Sequence, residues 1–187
     1  MKNEAKKIIA VVGKTGSGKD FFSNYIKDEF ESVDSFRFSQ PLTEALGFFF
    51  DKIKKEDQQW LSSALRDNYG EDILAKAIIK KIEKSEKEII ILNGARVEED
   101  VDMVKSINGK VIFIDCEAYK RWERIKGRGE KEDDNISFDK FSEMDQNRTE
   151  KQIENLKKES DFIIDNNGTV NDFKKEINRI INIIKNE

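Results

Sequence analysis

Gly13-Lys14-Thr15-Gly16-Ser17-Gly18-Lys19-Asp20 is the stretch of sequence that decides the fold. An apolar run over residues 8–12 precedes it, and apolar residues at helical spacing follow it from Phe21 to Phe30. In a glycine-rich turn between a strand and a helix, successive backbone N–H groups can surround an anion, and the helix adds the positive end of its dipole. We therefore predict that all eight residues bind the phosphates of a nucleotide.

The spacing of these residues is that of the P-loop pattern G-x-x-x-x-G-K-[ST], with one departure. Lys19 occupies the lysine position, from which its ammonium would reach the β- and γ-phosphates and act in catalysis. Asp20 stands where the pattern has Ser or Thr. Because a carboxylate suits a hard cation with oxygen ligands, we predict that Asp20 binds Mg²⁺. A chance glycine turn is the alternative, and the flanking strand and helix argue against it.

Composition narrows the classes of function. The chain has 187 residues, which predicts a single domain over residues 1–187, and it has no histidine, which excludes Ser-His and Cys-His catalysis. A net charge of −4 argues against a nucleic-acid partner. One cysteine, Cys116, excludes an internal disulfide and is typical of a reducing cytoplasm. Since no apolar run approaches the length of a membrane span, we expect a cytoplasmic protein without a membrane partner.

Apolar runs predict five strands that alternate with helices. The runs lie at residues 8–12, 33–38, 88–93, 111–115 and 161–165. Alternation of this kind indicates an α/β fold with a mostly parallel sheet covered on both faces. Residues 39–87 show helical patterns without a strand, which predicts a helical insert. One helix is expected over residues 138–156, and the charged segment 127–135 is expected to be a mobile loop.

Ligands of such sheets bind at the carboxyl ends of the strands, so the residues that follow each strand are candidates for the site. Arg96 comes three residues after a buried strand, which favours function over an exposed helix face. Arg124 and Arg128 are four residues apart and border the predicted loop. Arginines on a closing lid can stabilise charge on a phosphoryl group in transit, so we predict that both are catalytic. Arg121 points elsewhere and is expected to be structural.

The sequence resembles the nucleoside monophosphate kinase group of P-loop proteins over nearly its whole length. Residues 16–20 look like the loop of phage-type deoxynucleoside monophosphate kinases and of phosphomevalonate kinases. Residues 38–46 are similar to the Phe/Ala-x-Pro-Leu-Lys-x-x-Leu segment of the group, and residues 65–70 to its Arg-x-x-x-x-Gly segment. Residues 160–169 resemble an Asp-x-x-Ile-x-Asn-x-Gly-Ser/Thr element that is also found in dephospho-CoA kinases. Small archaeal and bacterial proteins predicted to be kinases of this group show a similar overall pattern.

The resemblance implies a three-layer α/β/α fold with strand order 2-3-1-4-5, an acceptor-binding insert over residues 39–87 and a lid over residues 117–137. It implies that Ser39, Arg66 and Arg96 bind a small phosphorylated acceptor. It also implies that Asn166 and Gly168 line the ATP base. Asn93 departs from the group, because many P-loop proteins carry an acidic residue at the end of strand three.

A nucleoside monophosphate already carries an ionised oxygen, so its phosphorylation needs positioning and charge neutralisation and no strong general base. A chain with a P-loop, several arginines and no histidine fits this demand. We predict an ATP-dependent kinase of nucleoside monophosphates, with deoxynucleoside monophosphates among the candidate acceptors. Dephospho-CoA kinase is the first alternative, but its alcohol acceptor favours a carboxylate base, and Asp34 lies at the wrong end of its strand. A nucleotide-binding module without catalytic activity is the second alternative.

Overall fold

In the computed structural model of the protein, residues 6–127, 136–146 and 148–186 are described. Within these ranges, five strands form one parallel sheet in the order β2-β3-β1-β4-β5. Their bounds are β1 (Lys7–Val12), β2 (Val33–Arg37), β3 (Ile89–Asn93), β4 (Lys110–Asp115) and β5 (Phe162–Asp165). The predicted α/β class, the parallel sheet and the strand order are confirmed.

The central strands β1, β3 and β4 form at these places because most of their side chains are apolar on both faces. Residues 89–93 of β3 are all buried, as expected of a strand that helices cover on both sides. The register aligns the carboxyl ends of neighbouring strands: Val11 pairs with Asn93, and Arg37 also pairs with Asn93. The end of β2 therefore lies two strands away from the start of the P-loop, along the same edge of the sheet.

Helices cover both faces of the sheet. Their bounds are α1 (Lys19–Glu29), α2 (Gln40–Gly47), α3 (Lys55–Tyr69), α4 (Ile73–Lys84), α5 (Glu98–Ser106), α6 (Ala118–Lys126), α7 (Phe138–Asp145), α8 (Arg148–Asn155) and α9 (Val170–Asn186). One core joins the sheet to α1 and α9 through residues such as Phe22 and Ile177. The opposite core joins it to α4, α5 and α8 through residues such as Ile78 and Ile153.

The segment between β2 and β3 contains α2, α3 and α4 and no strand, as predicted. Its last helix belongs to the layer that covers the sheet, because α4 buries Ile78 and Ile82 in the core. No residue of α3 is buried, so this helix stands further from the core. The predicted role of the insert in acceptor binding stays a prediction.

The prediction of one helix over residues 138–156 is wrong. Helix α7 ends at Asp145, α8 begins at Arg148, and a 3₁₀ helix follows at Leu156–Glu159. The two helices are held by different contacts. Asp145, at the end of α7, forms a buried ion pair with Arg121, whereas α8 packs against the sheet through Ile153. The predicted start of the last helix is confirmed, because Thr169 and Asp172 exchange the hydrogen bonds of a capping box.

Residues 128–135, which make up most of the predicted mobile loop, lie outside the described residues. Among the helices of the described ranges, none combines the length and the apolar character that a membrane span requires.

Candidate functional site

The P-loop turns from β1 into α1 in a shape that only glycine adopts easily. Gly16 and Gly18 have φ angles of +82° and +112°. A Cβ atom on Gly18 would lie 2.5 Å from Nδ2 of Asn166, and one on Gly16 would lie 2.8 Å from the Arg121 carbonyl oxygen. The loop is therefore packed tightly against α6 and against the segment after β5. At these glycines, the loop offers a ligand only backbone groups.

Two side chains of the loop are suited to an anion. Nζ of Lys19 lies over the loop and donates to the carbonyl oxygens of Gly13 and Lys14 at 2.6 and 2.8 Å. The hydroxyl of Ser17 is buried and has no hydrogen-bond partner among the described residues. A buried hydroxyl without a partner is costly, and a phosphate oxygen could satisfy it. The residues of the loop therefore fit the phosphates of a nucleotide.

Asn166 and Arg124 hold the loop from the side of β5. The Asn166 side-chain amide donates to the Ser17 carbonyl at 2.7 Å, and Nη2 of Arg124 donates to the Asn166 carbonyl at 2.8 Å. Nη1 of Arg124 also lies 3.3 Å from Sγ of the buried Cys116. Asn166 and Arg124 are thus brought to the P-loop, with Arg124 on α6 itself. Arg128 lies outside the described residues, so its catalytic role stays a prediction.

Arg121 forms a buried ion pair that also contacts the P-loop. Its guanidinium donates to both carboxylate oxygens of Asp145 at 2.7 Å, and Nη1 donates to the Thr15 carbonyl at 3.2 Å. Nζ of Lys14 lies 3.4 Å from the same carboxylate and 3.3 Å from that of Glu154. Burial alone would raise the pKa of Asp145, but the hydrogen bonds and charge of Arg121, together with Lys14, lower it overall. The pair fixes the position of the loop relative to α6 and α7.

Next to the P-loop lies a polar cleft of about 340 Å³ between α1, the ends of β2 and β3, and α2. Asp20 lies at this cleft and is exposed, with Oδ1 only 2.9 Å from Nη2 of Arg37. The cleft is lined by Asp20, Ser23, Asn24, Lys27, Ser35, Arg37, Ser39, Gln40, Thr43 and Asn93. These side chains are all polar and include two cations and one carboxylate, so the cleft offers cationic and hydrogen-bonding groups to a small anionic ligand.

Asn93 closes the inner wall of the cleft at the end of β3. It is buried, and its amide donates to the hydroxyls of Ser23 at 2.8 Å and Ser35 at 3.2 Å. Among the described residues, no three or more His, Cys, Asp or Glu side chains cluster as metal ligands. Mg²⁺ commonly binds through one or two carboxylates together with substrate phosphates and water. The exposed carboxylate of Asp20, which follows the P-loop lysine directly, fits such a site.

Arg66 and Arg96 both act on Asp100, away from the cleft, Arg66 through its charge and Arg96 through its backbone N–H. The Asp100 carboxylate accepts a hydrogen bond from the Arg96 backbone N–H at 2.8 Å. Burial raises the pKa of Asp100, against the opposing effect of the backbone hydrogen bonds from Arg96 and Val97 and of the Arg66 charge. Nε of Arg66 is buried and has no hydrogen-bond partner in the described ranges, since Glu71 lies 3.7 Å away.

Of the predicted acceptor residues, only Ser39 lines the cleft. Sequence reasoning missed Arg37, Asn24 and Lys27. Two features of the sequence could have identified Arg37 and Lys27 as residues of the site. Arg37 is the last residue of β2 and therefore lies at the carboxyl edge, and Lys27 follows Asp20 by two helical turns on α1.

Comparison with known proteins agrees with this geometry. A UPF0200 protein of Sulfurisphaera tokodaii is 29% identical over 178 residues, which cover 94% of this chain and 96% of that protein. The crystal structure of TT1252 from Thermus thermophilus has a TM-score of 0.60 at 13% identity, covering 96% of this chain and 98% of that one. Shikimate kinase from Acinetobacter baumannii in complex with shikimate has a TM-score of 0.59 at 14% identity, covering 98% and 95%.

The two solved structures support the fold: a P-loop α/β architecture of the kinase-like type. The model of the AAA domain family matches residues 9–137, which include the P-loop, β3, β4 and α6. The match spans more than half of the chain and begins in the strand that leads into the phosphate-binding loop. The chain therefore belongs to the AAA domain family, with a P-loop kinase-like fold.

Proposed function

We propose that the protein is an ATP-dependent kinase that transfers the γ-phosphoryl group of ATP to a small phosphorylated acceptor, a nucleoside monophosphate. One observation carries the proposal: the P-loop and a polar, cation-lined cleft adjoin each other at Asp20. A phosphate donor and a phosphate-bearing acceptor could therefore meet at one point of the carboxyl edge. A nucleotide-binding module without catalytic activity would not need the second, adjoining cleft.

At the donor end, the backbone amides of residues 13–19 would bind the phosphates, with the start of α1 adding its dipole. The buried Ser17 hydroxyl supports this role, because no described residue bonds to it. Lys19 would move its ammonium from the carbonyl oxygens of Gly13 and Lys14 to the phosphate oxygens. Asn166 and Gly168, in the segment after β5, would lie along the base of ATP.

At the acceptor end, Ser39 lines the cleft, whereas Arg66 and Arg96 lie outside its lining and act on Asp100. The buried Nε of Arg66 is an N–H donor without a hydrogen-bond partner among the described residues, which supports a role in binding an anion. We propose that both arginines bind the acceptor on the side of α3 and α5.

Asp20 would hold Mg²⁺, together with phosphate oxygens and water. Bound there, the ion would neutralise negative charge on the phosphate groups of the two substrates. Asn93, which is neutral and bonded to Ser23 and Ser35, leaves Asp20 as the carboxylate of the cleft wall.

In the transfer itself, an ionised phosphate oxygen of the acceptor attacks the γ-phosphorus. The bond from that phosphorus to the β–γ bridging oxygen breaks, and its electron pair stays with ADP. No proton has to be removed from the acceptor, so the absence of histidine from the sequence is no obstacle. Lys19 and Arg124, with Arg128 as a further candidate, would stabilise the charge that spreads over the phosphoryl oxygens.

The test is a coupled ADP-release assay over ribo- and deoxynucleoside monophosphates, dephospho-CoA and phosphomevalonate. We expect turnover with at least one monophosphate, in the presence of Mg²⁺ and not with the Lys19→Ala variant. Turnover confined to dephospho-CoA would contradict the proposed acceptor. Tight ATP binding without transfer to any acceptor would instead indicate a module that binds nucleotide without catalysis.

A further inference from the structure

Arg37 and Asp20 form an ion pair across the mouth of the polar cleft. Nη2 of Arg37 lies 2.9 Å from Oδ1 of Asp20, although the residues come from different elements, the end of β2 and the first turn of α1. Both side chains are 66% exposed. Exposed pairs of this kind contribute little to stability, because water solvates both charges well. The pair is therefore easily exchanged and is not needed to hold the fold together.

Because of its position at the cleft, each residue of this pair could also bind a ligand. Asp20 directly follows the P-loop lysine and is the carboxylate that fits a cation. Arg37 faces the cleft with a planar guanidinium, whose N–H groups match a phosphate as well as they match a carboxylate. Lys27 and Asn24 line the same cleft and add a second cation and an amide. A phosphate in the cleft and the Asp20 carboxylate would thus compete for the same N–H donors.

We propose that Arg37 is a phosphate-binding residue of the acceptor cleft, and that Asp20 holds its guanidinium until the carboxylate engages a cation. This inference rests on the proposed function and goes beyond it. It names Arg37 as the residue that binds the phosphate of the acceptor, and it states that the metal nucleotide binds before the acceptor. When Asp20 serves as a metal ligand, its attraction for Arg37 falls. Arg37 can then turn to the acceptor, so the acceptor binds tightly only after the metal nucleotide.

The proposal makes opposite predictions for the two partners. Without Arg37, the phosphate of the acceptor loses a charged, bidentate hydrogen-bond donor. Asp20 should then bind the cation more tightly, because Arg37 no longer competes with the cation for its carboxylate. Without the Asp20 charge, Arg37 is released at all times, so acceptor binding should no longer depend on the cation. A pair with only a structural role would produce neither effect.

The experiment measures binding without turnover by isothermal titration calorimetry. A non-hydrolysable ATP analogue at saturating concentration occupies the P-loop, so that inorganic phosphate and a panel of nucleoside monophosphates report on the cleft. For the wild-type protein, we expect at least one of these probes to bind tenfold or more tightly with Mg²⁺ than without it. The metal alone is then titrated into the analogue complex to obtain its own Kd.

Three variants and a control complete the design. Arg37→Gln should weaken probe binding at least tenfold and lower the Kd for Mg²⁺ about threefold, and Arg37→Lys, which keeps the charge but not the planar group, should be intermediate. Asp20→Asn should bind the probe equally well with and without Mg²⁺. Arg179→Gln is the control, because Arg179 forms a comparable exposed pair with Glu176 on α9; it should match the wild type in all titrations.

The outcomes separate this inference from the proposed function. If the analogue and a probe bind but Arg37→Gln behaves like Arg179→Gln, the role of Arg37 is wrong and the kinase proposal stands. If a probe binds equally with and without Mg²⁺ in the wild type, the binding order is wrong. If no probe binds the analogue complex, the cleft is not the acceptor site. Failure of the analogue itself to bind would overturn both proposals.

Discussion

The side-chain amide of Asn166 donates a 2.7 Å hydrogen bond to the carbonyl oxygen of Ser17, which lies 149 residues earlier in the chain. Arg124 binds the Asn166 carbonyl, so α6, the P-loop and the segment after β5 meet at this point. The close packing requires that the residue next to Ser17 has no side chain. The shape of the P-loop is therefore set by tertiary contacts as well as by its own glycines.

The first prediction follows from this contact. Gly18→Ala would place a Cβ atom 2.5 Å from Nδ2 of Asn166, at a φ of +112°. We expect a loss of about 1–3 kcal/mol in the free energy of unfolding and at least tenfold weaker ATP binding. Urea denaturation and calorimetry measure the two effects. Gly47→Ala is the matched control, because its Cβ would meet its nearest neighbour, Ile53, at an ordinary 4.0 Å. Equal behaviour of the two variants would contradict the packing described for the loop.

Lys19→Ala should reduce phosphoryl transfer by about 100-fold or more and leave the fold intact. The reason is that its ammonium lies over the loop, where the phosphates would bind. The rate of ADP release gives the activity, and thermal unfolding gives the stability. Lys76→Ala, which removes an exposed ion pair with Asp72 on α4, should have wild-type activity. Turnover by Lys19→Ala at the wild-type rate would refute the site.

Asp20→Ser should retain Mg²⁺-dependent transfer, because it restores the hydroxyl that the P-loop pattern has at this position. Initial rates over a range of Mg²⁺ concentrations test this expectation, and we expect kcat to stay within about tenfold of the wild type. Complete loss of transfer with normal ATP binding would show that the Asp20 carboxylate does more than bind the metal.

Asp145→Asn should destabilise the protein by about 3–5 kcal/mol at neutral pH, because it leaves the buried Arg121 guanidinium without its counter-charge. The pKa of Asp145 is lowered in the folded protein, so its stabilising effect is complete above the pKa of the unfolded chain, about 3.9. That effect is lost as the pH falls through the folded value.

Urea denaturation between pH 7 and pH 3 tests this dependence. The difference in free energy of unfolding between wild type and Asp145→Asn should be largest near neutrality and should shrink below about pH 4. Glu176→Gln, which breaks the exposed pair with Arg179, is the control and should change stability by less than about 0.5 kcal/mol. A difference that is the same at pH 3 and pH 7 would show that the Asp145 charge does not matter.

The fold could be predicted because its signals are local. Apolar runs such as residues 89–93 specify strands buried on both faces, and the P-loop specifies a strand-turn-helix unit from eight consecutive residues. The strand order followed from the resemblance to a family. The capping box of Thr169 and Asp172 could likewise be predicted, since its partners are three residues apart.

The parts of the site that were not predicted depend on pairs of residues that lie far apart in the sequence. Arg37 pairs with Asp20 only because the sheet brings the end of β2 back towards α1. Asp145, the last residue of α7, pairs with Arg121, which lies 24 residues earlier in the chain. The carboxyl edge marks Arg37 as a candidate, but in a chain in which 39% of the residues are charged, nothing local identifies Asp20 as its partner or Asp145 as the partner of Arg121.

The central claim is that residues 13–20 bind the phosphates of a nucleotide, and equilibrium binding tests it most directly. Calorimetry should compare MgATP with adenosine on the wild-type protein and on Lys19→Ala. We predict that the wild type binds MgATP at least 100-fold more tightly than adenosine, and that Lys19→Ala loses most of this preference. Equal affinity of the wild type for the two ligands, or no binding of MgATP at all, would contradict the account.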